Sequence, residues 1–103
     1  MIPLVDEKRR QLEQLCRDHR VKRLELFGSA SSGEAFRPMD SDLDFLVEFQ
    51  PLKAGERADT YFGLQEALEE LFARPVDLVM ERAVRNPYFL QAIAADRKLL
   101  YAA

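Results

Sequence analysis

Apolar residues along the 103-residue chain recur with two different periods, and each period predicts its own elements. From Val5 to about Arg20, the residues Val5, Leu12, Leu15 and Cys16 return at spacings of three, four and seven among Lys, Arg, Glu and Asp, which predicts an amphipathic helix. Lys22 to Phe27 alternates and stops abruptly at Gly28-Ser29, the pattern of a short strand entering a turn. The small, polar stretch Ser29 to Gly33 suits a turn that opens a short helix near Ser31 to Phe36, closed by Pro38. Leu43 to Phe49 is the clearest strand, with Leu43, Phe45, Val47 and Phe49 on one face and Asp44, Leu46 and Glu48 on the other.

After a loop over Gln50 to Gly55, a third helix is predicted over roughly Asp59 to Phe72. Tyr61, Leu64, Leu68, Leu71 and Phe72 form its apolar stripe, with Glu66, Glu69 and Glu70 opposite. Val76 to Met80 reads as a short strand with one charge, Asp77, embedded in it. Asn86-Pro87 has the form of an N-cap with proline at the first helical position, opening a helix to about Asp96. Lys98 to Tyr101 fits an edge strand and a helix tail equally well.

Composition narrows the class. Apolar residues are 48% and charged residues 32%, the balance of one globular domain spanning residues 1–103. No uncharged run approaches the ~20 residues of a membrane span, and no signal-peptide pattern opens the chain, so a cytoplasmic location is expected. A lone Cys16 and a lone His19 supply neither a disulfide nor a four-ligand zinc site, and both are expected to be packing residues. The net charge of -3 names no partner by itself. Its distribution is more telling: residues 1–23 hold seven Lys/Arg against four Asp/Glu, whereas the window between Arg37 and Lys53 has no base but contains Asp40, Asp42, Asp44 and Glu48. Uncompensated carboxylates repel one another unless they spread into solvent or share a cation.

Asp42 and Asp44, two apart at a strand start, project together while Leu43 and Phe45 anchor the other face. Such an oxygen pair suits Mg²⁺ or Mn²⁺, although Asp-x-Asp alone also fits a solvated strand end. Asp77 adds weight, because a carboxylate inside an apolar strand needs a partner or a shared cation to offset its desolvation. If the two strands are neighbours, three carboxylates converge, enough to hold two divalent ions for phosphoryl transfer. Gly28 to Gly33 has the glycine spacing of a phosphate loop, but Glu34 and Ala35 stand where that motif needs lysine and Ser/Thr, so a P-loop is rejected. Gly28 and Ser29 remain as candidate phosphate contacts at a strand-to-helix turn.

Phe27-Gly28-Ser29, then Asp42-Leu43-Asp44-Phe45, then Asp77 within Val76-Asp77-Leu78-Val79, together resemble the nucleotidyltransferase superfamily related to DNA polymerase beta. The match is closest to its minimal nucleotidyltransferases (MNT). The resemblance implies an α+β fold, a small mixed sheet packed by helices. It also implies Asp42 and Asp44 on the metal ions that accompany ATP, Asp77 as a third carboxylate that activates the acceptor hydroxyl, and Gly28 and Ser29 on the phosphates. One departure stands out: Ser31 and Ser32 occupy positions where relatives often have alanine and arginine, which leaves Arg37 as the substitute cation.

The same resemblance implies a partner, a HEPN-domain toxin, with this chain as antitoxin moving AMP from ATP to a toxin tyrosine. The short chain leaves no room for a second domain to grip an acceptor, and with no concentrated basic surface nucleic acid is not expected as the direct substrate. The alternative is a module that neutralises its partner by contact, with a vestigial active site.

Overall fold

The computed structural model describes residues 3–28 and 42–103. The elements are α1 (Pro3–Glu7), α2 (Arg9–Asp18), β1 (Val21–Phe27), β2 (Leu43–Phe49), α3 (Arg57–Phe72), β3 (Val76–Met80), a 3₁₀ turn (Glu81–Ala83), α4 (Pro87–Ile93) and β4 (Lys98–Ala102). The strands form one mixed sheet in the order β3-β2-β1-β4. β1 is antiparallel to both β2 and β4, while β2 and β3 run parallel. This is the α+β architecture expected from the sequence. The expected short helix at Ser31 to Phe36 and its closing Pro38 lie outside the described residues.

The main core fills one face of the sheet. Leu43, Phe45 and Val47 of β2 meet Leu12 and Cys16 of α2 and Leu64, Leu68 and Phe72 of α3, all essentially buried. Phe45 stacks on Phe72 with ring centroids 6.0 Å apart, and burying such a side chain contributes roughly 1.5–3 kcal/mol. The period-two pattern of β2 therefore maps onto the core as predicted. Its other face is also partly covered: Leu46 joins Phe27 and Ile93 in a second cluster, packed against Val79, Phe89 and Leu90. Asp44, Glu25 and Asp77 share that second face by strand alternation.

Two helices differ from the sequence expectation, and the segment it left open is decided. The leading helix is split, because Lys8 leaves helical geometry (φ -106°, ψ 18°) and donates its N–H to Val5 three residues back. The chain's closing segment is a strand, paired with β1 through Leu26 and Lys98. The last helix ends at Ile93, but its start is as read: the Asn86 side chain accepts from the Tyr88 N–H at 2.9 Å, with Pro87 at the first position. Cys16 is fully buried, and its thiol is pushed up to about 12, first by burial and then by Glu13, which suits packing rather than reactivity. Among the described residues no helix is long and apolar enough to cross a membrane.

Candidate active site

Asp44 is the second residue of β2 and Asp77 the second of β3, and the two are direct partners in the parallel register. In-register residues on neighbouring strands, roughly 4.8 Å apart, present their side chains to the same face. The residues flanking them, Leu43 with Val76 and Phe45 with Leu78, are buried on the core side and fix that orientation. Asp42 is exposed and sits one residue before β2. Burial first, then the charges of Asp77 and Asp42, push the Asp44 carboxyl from 3.8 up to about 6. The three acidic residues thus form one electrostatic group, and among the described residues none of them is ion-paired to a base.

On the other side of β2, Phe27 of β1 is the partner of Asp44, so the chain leaves β1 at Gly28 directly beside that carboxylate. A Cβ on Gly28 would lie 2.5 Å from Asp44 Oδ2, and Gly28 holds φ +77°. Both the space and the left-handed backbone call for glycine at this position. Ser29, the other expected phosphate contact, lies outside the described residues, as do Ser31, Ser32 and Arg37.

Asp77 does not bear the desolvation that its apolar strand led us to expect. β3 is the edge of the sheet, which leaves Asp77 exposed, whereas Asp44 lies on an interior strand and is half-buried. The unfavourable burial therefore falls on Asp44. The all-oxygen donor set and its uncompensated charge fit a hard divalent cation. Even so, among the described residues no three His, Cys, Asp or Glu side chains are gathered closely enough to enclose an ion.

Sequence reasoning missed what steadies Asp77. Tyr61 Oη donates to the Leu78 carbonyl, Gln65 Nε2 donates to the Val76 carbonyl at 3.1 Å, and the Val76 N–H donates to Glu69 Oε2 at 3.0 Å. These three side chains of α3, spaced four apart, satisfy the open edge of β3 on both sides of Asp77. Burial, then the charge of Asp77, raises the Tyr61 phenol above its ordinary range. Glu69, expected on the solvated face, belongs to this clasp, and the i, i+4, i+8 row of hydrogen-bonding groups was the available signal. A second missed element is Glu25, only 4% exposed, which receives Arg97 Nε at 3.0 Å and Nη2 at 2.6 Å. Arg97 also reaches Glu81 at 3.2 Å, tying β1 to the turn after β3.

Comparison with known proteins agrees with this fold. The family model described as nucleotidyltransferase domain matches residues 8–100. A relative in Methanocaldococcus jannaschii, named "Putative protein adenylyltransferase MJ1379", is 32% identical over 93 residues, 89% of this chain and 90% of its own length. Among solved structures, one described as a putative minimal nucleotidyltransferase superposes with TM-score 0.73 at 32% identity, covering 94% of this chain and 95% of that one. A toxin-antitoxin structure with AMP-PNP gives 0.69 at 25% identity, over 92% and 73% of the two chains. A complex of tri-AMPylated Shewanella oneidensis HEPN toxin with MNT antitoxin shares the fold, with TM-score 0.65 at 21% identity over 95% and 72%. With the family match running through nearly the whole described sheet, the chain belongs to the nucleotidyltransferase domain family.

Proposed function

We propose that this chain transfers AMP from ATP to a hydroxyl, a tyrosine, of a HEPN-type toxin partner and so acts as its antitoxin. The observation that carries the reading is the side-by-side placement of Asp44 and Asp77 on parallel strands, with Gly28 packed against Asp44. Similarity to a toxin-antitoxin structure holding AMP-PNP supports a nucleoside triphosphate as donor. The AMPylated toxin of the MNT complex supports a protein acceptor.

In this reading Asp42, Asp44 and Asp77 would hold Mg²⁺ or Mn²⁺, which when bound supplies charge neutralisation for the triphosphate. Asp77, exposed at the sheet edge, takes the proton of the acceptor hydroxyl. The acceptor oxygen forms a bond to the α-phosphorus as the bond to the β-phosphate bridging oxygen breaks, and pyrophosphate leaves. Gly28 leaves room for the Asp44 carboxylate, and backbone at Gly28 and Ser29 contacts the phosphates. The α3 clasp fixes the backbone on either side of Asp77, so that its carboxylate keeps its register against Asp44.

The test is incubation with labelled ATP, Mg²⁺ and a cognate HEPN protein. Label on the partner is expected with the wild type and not with Asp42→Ala or Asp44→Ala. Absence of transfer, or transfer undiminished in both variants, would overturn the proposal. Protection against the toxin that survives in Asp44→Asn would instead favour neutralisation by contact.

A further inference from the structure

A cavity of about 280 Å³ opens at the far end of the parallel strand pair, where β2 and β3 finish. Its lining combines the half-buried apolar side chains of Phe49, Leu52 and Met80 with the exposed Arg57, Arg82 and Arg85. The lining on β2 runs from Val47 to Phe49, three to five residues beyond Asp44, which puts the cavity roughly 10–16 Å from the carboxylate group. It is therefore separate from the site described above. Open sheets commonly receive ligands at the carboxyl ends of parallel strands.

The charges are the feature that suits an anionic occupant. Among the described residues none of the three arginines has an ion-pair partner. Glu48, the one acid in the lining, is committed to Lys22 at 3.2 Å. Three exposed guanidinium groups around one small cavity make a locally positive rim in a chain whose net charge is -3, a place where an anion can be held. Guanidinium forks match phosphate oxygens in pairs, and the apolar side chains beside them accept a flat ring. The volume sits just below the ~300 Å³ at which small-molecule sites begin, room for one ring system and one phosphate rather than a polymer.

We propose that this cavity is a binding site for a nucleoside monophosphate, with the base on Phe49, Leu52 and Met80 and the phosphate on Arg57, Arg82 and Arg85. The site needs no divalent cation and no carboxylate, so it stands or falls independently of the transfer reaction. The test uses the full chain in EDTA, titrated with AMP, adenosine and inorganic phosphate and followed by calorimetry and amide chemical shifts. AMP is expected to bind more tightly than adenosine or phosphate, to weaken as salt rises, and to move the amides of residues 47–50 and 80–85 while leaving Gly28 and Asp44 in place. Arg82→Ala/Arg85→Ala should weaken AMP at least tenfold with its circular dichroism unchanged, and Asp44→Asn should bind AMP as the wild type does. AMP binding that the double arginine variant retains, that Asp44→Asn abolishes, or that inorganic phosphate matches in affinity would overturn the proposal.

Discussion

Replacing Asp44 by asparagine should stabilise the metal-free protein while removing its activity. The native fold holds this carboxylate half-buried beside Asp77 and Asp42, and its pKa rises from 3.8 to about 6 for those reasons, burial first. An acid whose folded pKa is raised binds its proton more tightly when folded, so its ionisation weakens the fold. That cost is absent below about pH 3.8, grows between 3.8 and 6, and is complete above 6. A carboxyl moved this far corresponds to roughly 3 kcal/mol at most, and solvent screening at a half-exposed site reduces this to about 1–2 kcal/mol. For a domain of this size that is a rise of roughly 5–10 °C in Tm for Asp44→Asn. The assay is thermal unfolding by circular dichroism in EDTA at pH 8 and pH 4.5. The gap between variant and wild type should be large at pH 8 and mostly gone at pH 4.5, and Mg²⁺ at pH 8 should raise the wild type more than the variant. Equal stabilities at pH 8, or a gap that does not shrink on acidification, would refute the reasoning.

Gly28→Ala should depress AMP transfer far more than it depresses stability, because its Cβ would displace Asp44 Oδ2 from 2.5 Å away while the backbone strain at φ +77° costs only about 1–2 kcal/mol. Urea unfolding and single-turnover transfer measured on the same preparation check it, and an alanine variant with normal transfer would contradict the close approach. Arg97→Met should cost about 3 kcal/mol by urea unfolding, since it strands the nearly buried Glu25 with only the more exposed Arg23 at 3.2 Å. The double replacement Glu25→Leu/Arg97→Met should recover most of that loss, and a double variant as unstable as the single one would show that the pair itself, rather than an orphaned charge, is what matters.

Much of the site was legible because it is written in local patterns. Alternation placed Asp44 and Asp77 within their strands, the Gly-Ser stop marked the end of β1, and Asn86-Pro87 announced the start of α4. The pairing of the Asp44 and Asp77 strands was anticipated, and what escaped was the rest of the strand order and the contacts that depend on it. Lys98 to Tyr101 carries no decisive period, and it becomes a strand because β1 offers it a free edge some seventy residues earlier in the chain. Glu25 and Arg97 are separated by a similar distance, and nothing near either residue in sequence points to the other.

Strand order also decides how Asp44 and Asp77 differ in exposure. In sequence, Asp77 is a single charge in an apolar strand and the residue expected to bear desolvation, while Asp44 pairs with Asp42 at a strand start. In the sheet β2 is interior and β3 is the edge, so the roles reverse: Asp44 bears the desolvation and Asp77 keeps access to solvent. That reversal suits the proposed chemistry. A group that must take a proton from an incoming hydroxyl needs an open approach, which the edge strand provides. A group that must hold a cation gains from burial and from like-charged neighbours, because the cation then relieves a cost already present in the fold. The clasp of Tyr61, Gln65 and Glu69 completes the division, steadying an edge strand that would otherwise be free to fray at the position where Asp77 has to stay in register with Asp44.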